Sequence, residues 1–524
     1  MKWAPPPLPR DQLVLFSRRL DDALPPDHTV RQFEDLISHP AISWQHWEAK
    51  YCDDAGQPAI PPKTLASILL YGLFTKIRTS RALEDALRVR TDFMWLAEGR
   101  SIDHTTLCLF RRNHHEALKA LFRQVGQVAR EAGLLKLERL AFDGTRVRAN
   151  NRRSGTRTPD ELRRDAAELD IKYERLTAEA EAADQKDEEA FDADAKPQSP
   201  QDREQRRVRV TRALEELARA EAAGEKLPAR LPITDPESRV MPNKEGGYAP
   251  NYTPTAMVDV DSGLIVAATV LAVHNEDAHL VPTLDEVQRE YGLARPPAEM
   301  LADGLMATGA NLAALEARGV TLYSPCDLPD PQNPALRPDP TQPVAESDRA
   351  KLPTKPTTRD GVKTQQLDKT AFVYDAQRDC YWCPQGQPLE YANTTSEASG
   401  TGRRIRRRYV ADPAACADCP LRALCVGGKA KSRQINREQY EEHRERHAQR
   451  MAAPEAKAKY QARRHPGERP FAEIKQQFGL RQFLLRGVAK VQQEWLWATT
   501  AFNIKTLLSR WRGDPPYQVP FALA

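Results

Sequence analysis

Residues 252–273 read YTPTAMVDVDSGLIVAATVLAV. Two apolar, β-prone runs flank Asp261-Ser262-Gly263, which has the turn chemistry of a hairpin. Downstream, the pattern predicts a helix over Leu280–Tyr291, a strand-like run AEMLADG (298–304) and a second helix over Asn311–Arg318. Hairpin strands followed by alternating strand and helix specify an α/β or α+β core. Upstream, LERLAFDGTRVRAN (137–150) switches from helical to short β-like patterning, so 136–158 and 230–325 are assigned to that core.

The flanks read differently. Residues 1–25 form a Pro-rich arm. Residues 26–135 carry 3.6-residue periodicity in LASILLYGLF, SRALEDALRV and TTLCLFRRNHHEALKALFRQVGQVAREAG, which predicts a helical N-terminal domain. Ser80 and Asp103 are expected N-caps there, and Gly133 the stop. Within 159–229, Leu162, Ala166, Leu169, Tyr173, Leu176 and Ala180 alternate spacings of four and three, the seam of a coiled helix. Val210, Leu214 and Leu217 mark a returning arm after the KPQSPQD loop, hence an inserted helical hairpin. Residues 326–430 are Pro- and Asp-rich and then Cys-rich, and 431–524 are helical.

A chain of 524 residues is too long for one ordinary core. With 40% hydrophobic and 29% charged residues it reads as soluble and globular. A net charge of only +4 means that nucleic-acid binding must rest on local clusters. MKWAPPPLPRDQ has no apolar signal region, and LASILLYGLF is too short to cross a bilayer. No membrane partner is expected, and the cytoplasm is the expected compartment. Five of the eight cysteines crowd into Cys380–Cys425, which points to a metal site rather than a disulfide scaffold.

Two aspartates stand where strands should end: Asp143 in LAFDGT and Asp303 in EMLADG. An Asp before Gly is more often a turn former than a ligand, so each needs company. Carboxylate oxygens suit Mg²⁺, which takes only one or two of them and leaves room for phosphate and water. A third carboxylate lies in RHPGERPFAEIKQQFGLRQFLLRG (464–487). On a helix there, Glu468 and Lys475 share a face about 10 Å apart along the axis. Glu473 turns away as ordinary ion-pair chemistry, and Pro470 is expected in the first turn, where its missing N–H costs little. The competing reading is a solvated basic face.

DCYWCPQG and CADCPLRALC place Cys380, Cys383, Cys416, Cys419 and Cys425 as two knuckles, five thiols for the four places of tetrahedral Zn²⁺. Nearby, Arg403, Arg404, Arg406, Arg407 and Arg408 alternate about Ile405. So dense a run repels itself without an anionic partner, which favours DNA phosphates. Trp382 is a weaker candidate for base stacking. Trp495 and Trp497 belong to a core stripe with Val491, Ala498 and Phe502.

Taken together, LAFDGTRVRAN, LADGLMATGANL and Tyr460-x3-Arg464-x3-Glu468-x6-Lys475 resemble the catalytic segments of DDE transposases of bacterial insertion sequences, in the group marked by a Tyr-Arg-Glu-Lys signature. PPKTLASILLYGLF, SRALEDAL and DHTTLCLFRR are similar to that group's InsH-type N-terminal domain. TDPESR, GGYAPNYTPTAMVD and the closing FLLRGVAKVQQEWLWATTAFNIKTL follow in family order. The resemblance implies an RNase H-like core, with the helical hairpin and a Cys-rich, zinc-ribbon-like module inserted. It implies that Asp143, Asp303 and Glu468 hold two Mg²⁺ (or Mn²⁺) ions, and that Tyr460, Arg464 and Lys475 bind phosphate. The implied reaction is cleavage of double-stranded DNA at terminal inverted repeats and strand transfer into target DNA. A homodimer would join the two ends in a bacterial, nucleoid-associated setting. For structural Zn²⁺ the resemblance favours Cys383, Cys416, Cys419 and Cys425. The family's Gly-Tyr pair after the middle Asp reads Leu305-Met306 here, and its Tyr-Asn pair reads Asn251-Tyr252. The alternative is a catalytically inactive, zinc-stabilised DNA-binding protein derived from such an enzyme.

Overall fold

The computed structural model describes residues 19–511 apart from 50, 52–58, 152–154, 185–199, 225–227, 244–245, 329, 360–361, 400–401 and 428–429. Most of the Pro-rich arm, Cys52 and most of the KPQSPQD loop therefore lie outside the described residues. The chain divides into two compact units: 1–276 with 283–295 and 464–524, and 277–282 with 296–463.

In the first unit, strands β1 (Arg139–Gly144), β2 (Tyr248–Asp259) and β3 (Ile265–Leu271) form an antiparallel meander. The hairpin turn expected at Asp261–Gly263 falls between β2 and β3, with Gly263 at φ +70°. β2 is buried along nearly all of its length, because helices cover the sheet. The long helix Val488–Trp511 packs against β3 and against helices Pro62–Phe74 and His115–Glu131. It also completes the hydrogen bonds of β3. Gln492 Oε1 accepts from Val270 N–H at 2.6 Å, and its Nε2 donates to the Ala268 carbonyl at 2.9 Å. Asn503 does the same for Ile265, at 2.8 and 2.7 Å. Two side-chain amides thus stand in for a neighbouring strand, and the buried backbone groups are satisfied. The stripe Val491, Trp495, Ala498 and Phe502 is fully buried, as the periodicity predicts.

The N-terminal helices belong to this same unit. Asp103 caps as expected, accepting from Thr106 N–H at 2.9 Å, and Gly133 follows the helix end at φ +70°. The other cap is Thr79 rather than Ser80: the Thr79 hydroxyl accepts from Ala82 N–H, and the helix begins at Ser80. The inserted hairpin is present as Pro159–Asp184 and Pro200–Ala222, with Leu162 packed on Ala213, Leu217 and Leu231. The side chains of Tyr173, Leu176 and Ala180 lie outside the described residues.

The second unit opens with a parallel strand–helix–strand element: β4 (Glu299–Leu301), helix Gly309–Ala317 and β5 (Thr321–Tyr323). A five-stranded antiparallel sheet follows, in the order β6 (Val373–Asp375), β7 (Cys380–Trp382), β8 (Pro388–Ser399), β9 (Gly402–Ala411) and β10 (Gln434–Glu438). Helices Glu441–Ala452 and Pro454–Gln461 close the unit. Among the described residues, no helix is long and apolar enough to cross a membrane.

Candidate active site and cysteine module

Leu140, Ala141 and Phe142 are buried, and their burial carries β1 through the core to deliver Asp143 half-buried at its end. Asp143 Oδ1 accepts from the following Gly144 N–H at 2.9 Å. The next residues are held from the helix Arg464–Gln476: Lys475 Nζ donates to Thr145 Oγ1 at 2.5 Å and to the Arg146 carbonyl at 2.8 Å. Lys475, expected as a phosphate clamp, is thus engaged with the Asp143 turn. The same helix exposes Glu468, seven residues earlier. Asp143 and Glu468 therefore sit on two elements that pack together in one unit.

That helix differs from expectation in one respect. It begins at Arg464, so Pro470 lies in its interior rather than its first turn. Pro470 has no N–H to offer the Pro466 carbonyl, a cost of about 3 kcal/mol in an unsupported helix. Tertiary packing supports the helix: Phe471, Ile474 and Phe478 are buried, and Phe471 stacks on Trp495 at 6.0 Å between ring centroids. Glu473 is ion-paired with Arg469 at 2.7 Å and Lys505 at 3.4 Å, the structural role expected of it. The side chains of Arg464 and His465 lie outside the described residues.

In the second unit, Asp303 follows the end of β4. Its Oδ1 accepts from Leu305 N–H at 3.0 Å, and its carbonyl accepts from the Ser324 hydroxyl at 2.6 Å. Asp303 caps the short turn Gly304–Met306, on which Leu305 is exposed. The Tyr460 hydroxyl accepts from Arg463 Nη1 at 3.3 Å.

Glu276, His274 and Arg146 carry no motif that singles them out in sequence, although HNEDAH (274–279) is dense in titratable groups. Glu276 is buried, with its carboxylate against Gly144. Arg146 donates to Thr253 Oγ1 at 2.6 Å, meets His274 Nδ1 at 3.0 Å and the His274 carbonyl, and lies 3.5 Å from Glu276 Oε2.

Four of the five clustered cysteines line one cavity of about 30 Å³: Cys383, Cys416, Cys419 and Cys425. The N–H groups of Gln385 and Gln387 both point at Cys383 Sγ from 3.3 Å. Burial pushes the Cys383 thiol up and the Cys425 thiol up to about 12. Cys380 lies apart, wholly buried in β7 and absent from that lining. Among the described residues, no three His, Cys, Asp or Glu side chains are already spaced to hold a metal ion. The soft donors and the room suit Zn²⁺. For Mg²⁺, the donor chemistry of Asp143 and Glu468 is suitable.

The arginine run does not present five free cations. Arg404 pairs with Glu438, Arg406 with Glu397 at 3.1 Å, and Arg407 with Asp379 while stacking on Tyr391. Arg403 donates to the Ser396 hydroxyl at 2.9 Å, and Arg408 Nε finds no partner among the described residues. The mutual repulsion is therefore relieved largely inside the protein. Trp382 is likewise no exposed stacking platform: it is buried, donates to Asp375 and carries Arg378 over its face.

Residues 382–508 match the family model of the transposase DDE domain, and residues 18–113 match that of a second transposase domain (DUF772). The first match takes in Glu468 and the four cavity cysteines; Asp143 and Asp303 lie outside both. Among solved structures, a crystal structure of a pre-cleavage Mos1 transpososome is similar at 10% identity, over 53% of this chain and 65% of that one. The chain thus spans just under two thirds of that chain's length, and at a TM-score of 0.14 the likeness carries no argument about fold or site. No curated protein matches the chain.

Proposed function

We propose that this chain, whose residues 18–113 and 382–508 match transposase family models, is a DDE transposase that cuts double-stranded DNA at terminal inverted repeats and joins the freed ends to target DNA. The observation that carries this reading is the docking of the Glu468 helix on the Asp143 turn through Lys475. Catalytic carboxylates must be held by elements that cannot drift, and a lysine bridging hydroxyl and carbonyl does that for both elements at once. Asp303, the third carboxylate of the proposal, has one oxygen already fixed by its own turn. The antiparallel meander β1–β3 of the first unit and the parallel pair β4 and β5 of the second support the reading of an RNase H-like core.

Asp143, Asp303 and Glu468 would hold two Mg²⁺ or Mn²⁺ ions, which when bound supply activation of an attacking oxygen and stabilisation of the leaving one. The chain's own residues bind and orient. Tyr460 and Arg464 would contact phosphate beside the cut, and Arg403 and Arg408, which have no described carboxylate partner, would contact the DNA backbone. Zn²⁺ on Cys383, Cys416, Cys419 and Cys425 would staple the second unit's sheet. Two copies are required to hold two DNA ends.

The rival is an inactive, zinc-stabilised DNA-binding descendant of such an enzyme. Cleavage of DNA carrying the element's ends, with Mg²⁺, decides between them. The wild type is expected to cut, and Asp143→Ala, Asp303→Ala and Glu468→Ala to bind without cutting. A wild type that binds and never cuts establishes the rival. Three variants that all cut normally remove the site assignment.

A further inference from the structure

The turn after Asp143 is gripped from both faces of β1, and the second grip belongs to a buried carboxylate outside the proposed trio. Side chains alternate along a strand, so Asp143 and Thr145 share one face while Gly144 opens on the other. Lys475 holds the first face through Thr145. On the second, a Cβ at Gly144 would lie 2.7 Å from Glu276 Oε1 and 3.4 Å from Thr255 Cγ2. Gly144 is glycine because the Glu276 carboxylate occupies the place of its side chain; its backbone φ is not in the region that demands glycine.

A carboxylate as buried as Glu276, at 7% exposure, stays charged only beside a cation and hydrogen-bond donors. The Arg146 guanidinium lies 3.5 Å from Glu276 Oε2. Arg146 is itself tied to Thr253 Oγ1 at 2.6 Å and to His274, by its Nδ1 at 3.0 Å and by its carbonyl. Arg146 is also the residue whose carbonyl Lys475 holds. The span from Asp143 to Arg146 is therefore fixed at three successive positions: the carboxylate against Gly144, the lysine on Thr145, and both on Arg146.

We propose that Glu276 is a positioning residue for the DNA-cutting reaction, setting the direction of the Asp143 carboxylate by filling the space behind Gly144 and anchoring Arg146. The inference rests on the reading of Asp143 as a catalytic carboxylate. Its contacts are with the back of the Asp143 turn, so its loss should affect turnover and divalent-ion demand rather than DNA affinity.

The test compares full-length wild type, Glu276→Gln, Gly144→Ala, the double variant Gly144→Ala/Glu276→Ala, and Asp143→Ala. Each is assayed for cleavage rate, for the Mn²⁺ concentration at half-maximal rate, and for end-DNA affinity in EDTA. Glu276→Gln keeps the shape and removes the charge. Expected is a fall in cleavage rate of about 10- to 100-fold, the scale of a misplacement near 1 Å. A raised Mn²⁺ midpoint and affinity within about twofold should accompany it. Gly144→Ala should be at least as damaging, and shortening Glu276 in the double variant should restore part of the rate, because the two side chains compete for one space. Glu276→Gln cutting within twofold of wild type, while Asp143→Ala is dead, overturns the proposal and leaves the site reading intact. A double variant that cuts no faster than Gly144→Ala also overturns it, as does a loss of folded protein with normal cutting by the remainder. Asp143→Ala cutting normally instead removes the reading on which the proposal stands.

Discussion

Glu494 joins the N-terminal helices to the closing helix, and its removal should cost the first unit more than any surface change. Its side chain is 8% exposed and accepts from Arg78 Nη2 at 2.8 Å, with Arg78 14% exposed. It also accepts from the backbone N–H groups of Leu484 and Leu485, at 3.0 Å each on Oε2. Burial pushes the Arg111 guanidinium down from its ordinary value, and Glu494 opposes that shift. Losing one member of a buried pair costs about 3–5 kcal/mol, and each of the two part-buried N–H groups loses a bond worth about 0.5–1.5 kcal/mol. Arg78 would still donate to the Gly479 and Gln482 carbonyls at 2.7 and 2.8 Å, which softens the first cost. Glu494→Ala is therefore expected to lose about 4 kcal/mol and Glu494→Gln, which keeps an acceptor for the two N–H groups, about 2 kcal/mol. Urea unfolding followed by tryptophan fluorescence reports this region, since Trp47 and Trp497 pack at 5.9 Å between ring centroids beside it. A cycle with Arg78→Ala should return a coupling of about 1–3 kcal/mol. Glu494→Ala within about 1 kcal/mol of wild type would refute the argument that this carboxylate holds the helices to the core, since a single lost net hydrogen bond is worth that much.

Asn503→Ala should destabilise the first unit by about 2–4 kcal/mol by orphaning the buried N–H and carbonyl of Ile265, whereas Asn503→Gln should recover part of the loss; urea midpoints measure both. For the cysteine module, mass-spectrometric metal analysis should find one zinc per chain in wild type and in Cys380→Ser, and much less in Cys383→Ser or Cys425→Ser. Equal zinc in all four proteins would exclude that ligand set. Glu316 is held below the usual carboxylate range by its hydrogen bond from Arg446, then by His443. A carboxyl group whose folded pKa is lowered stabilises the fold above its unfolded pKa, and that contribution is lost as pH falls through the folded value. Glu316→Gln should therefore flatten the acid limb of the stability–pH curve below about pH 4.5 and leave the neutral plateau's slope unchanged. An acid limb as steep as wild type would show that Glu316 is not among the groups that create it.

What the sequence settled was settled by local physics. The hydrophobic run before Asp143 reads as a strand because three consecutive buried residues need a sheet to bury them. The 3.6-residue stripes gave the helices, whereas the Cys-x2-Cys spacing left five thiols for four places, and the family resemblance alone favoured the four that line the cavity. Composition alone could not place the anions that answer the arginine run. Glu397, Glu438 and Asp379 reach it through the register of β8, β9 and β10 and from the turn before β7. The interior placement of Pro470 likewise needed the fold, since only packing against Trp495 makes an interrupted helix tolerable.

The carboxylates, their chemistry and the helix that presents Glu468 are thus written in the chain, because donor type and periodicity are properties of neighbours in sequence. Which cations are free, where Lys475 points, and why residue 144 must lack a side chain were decided by tertiary structure. The last two depend on groups more than a hundred residues away in sequence that arrive within 3.5 Å, the first on partners 9 to 34 residues away, and no local pattern encodes those contacts.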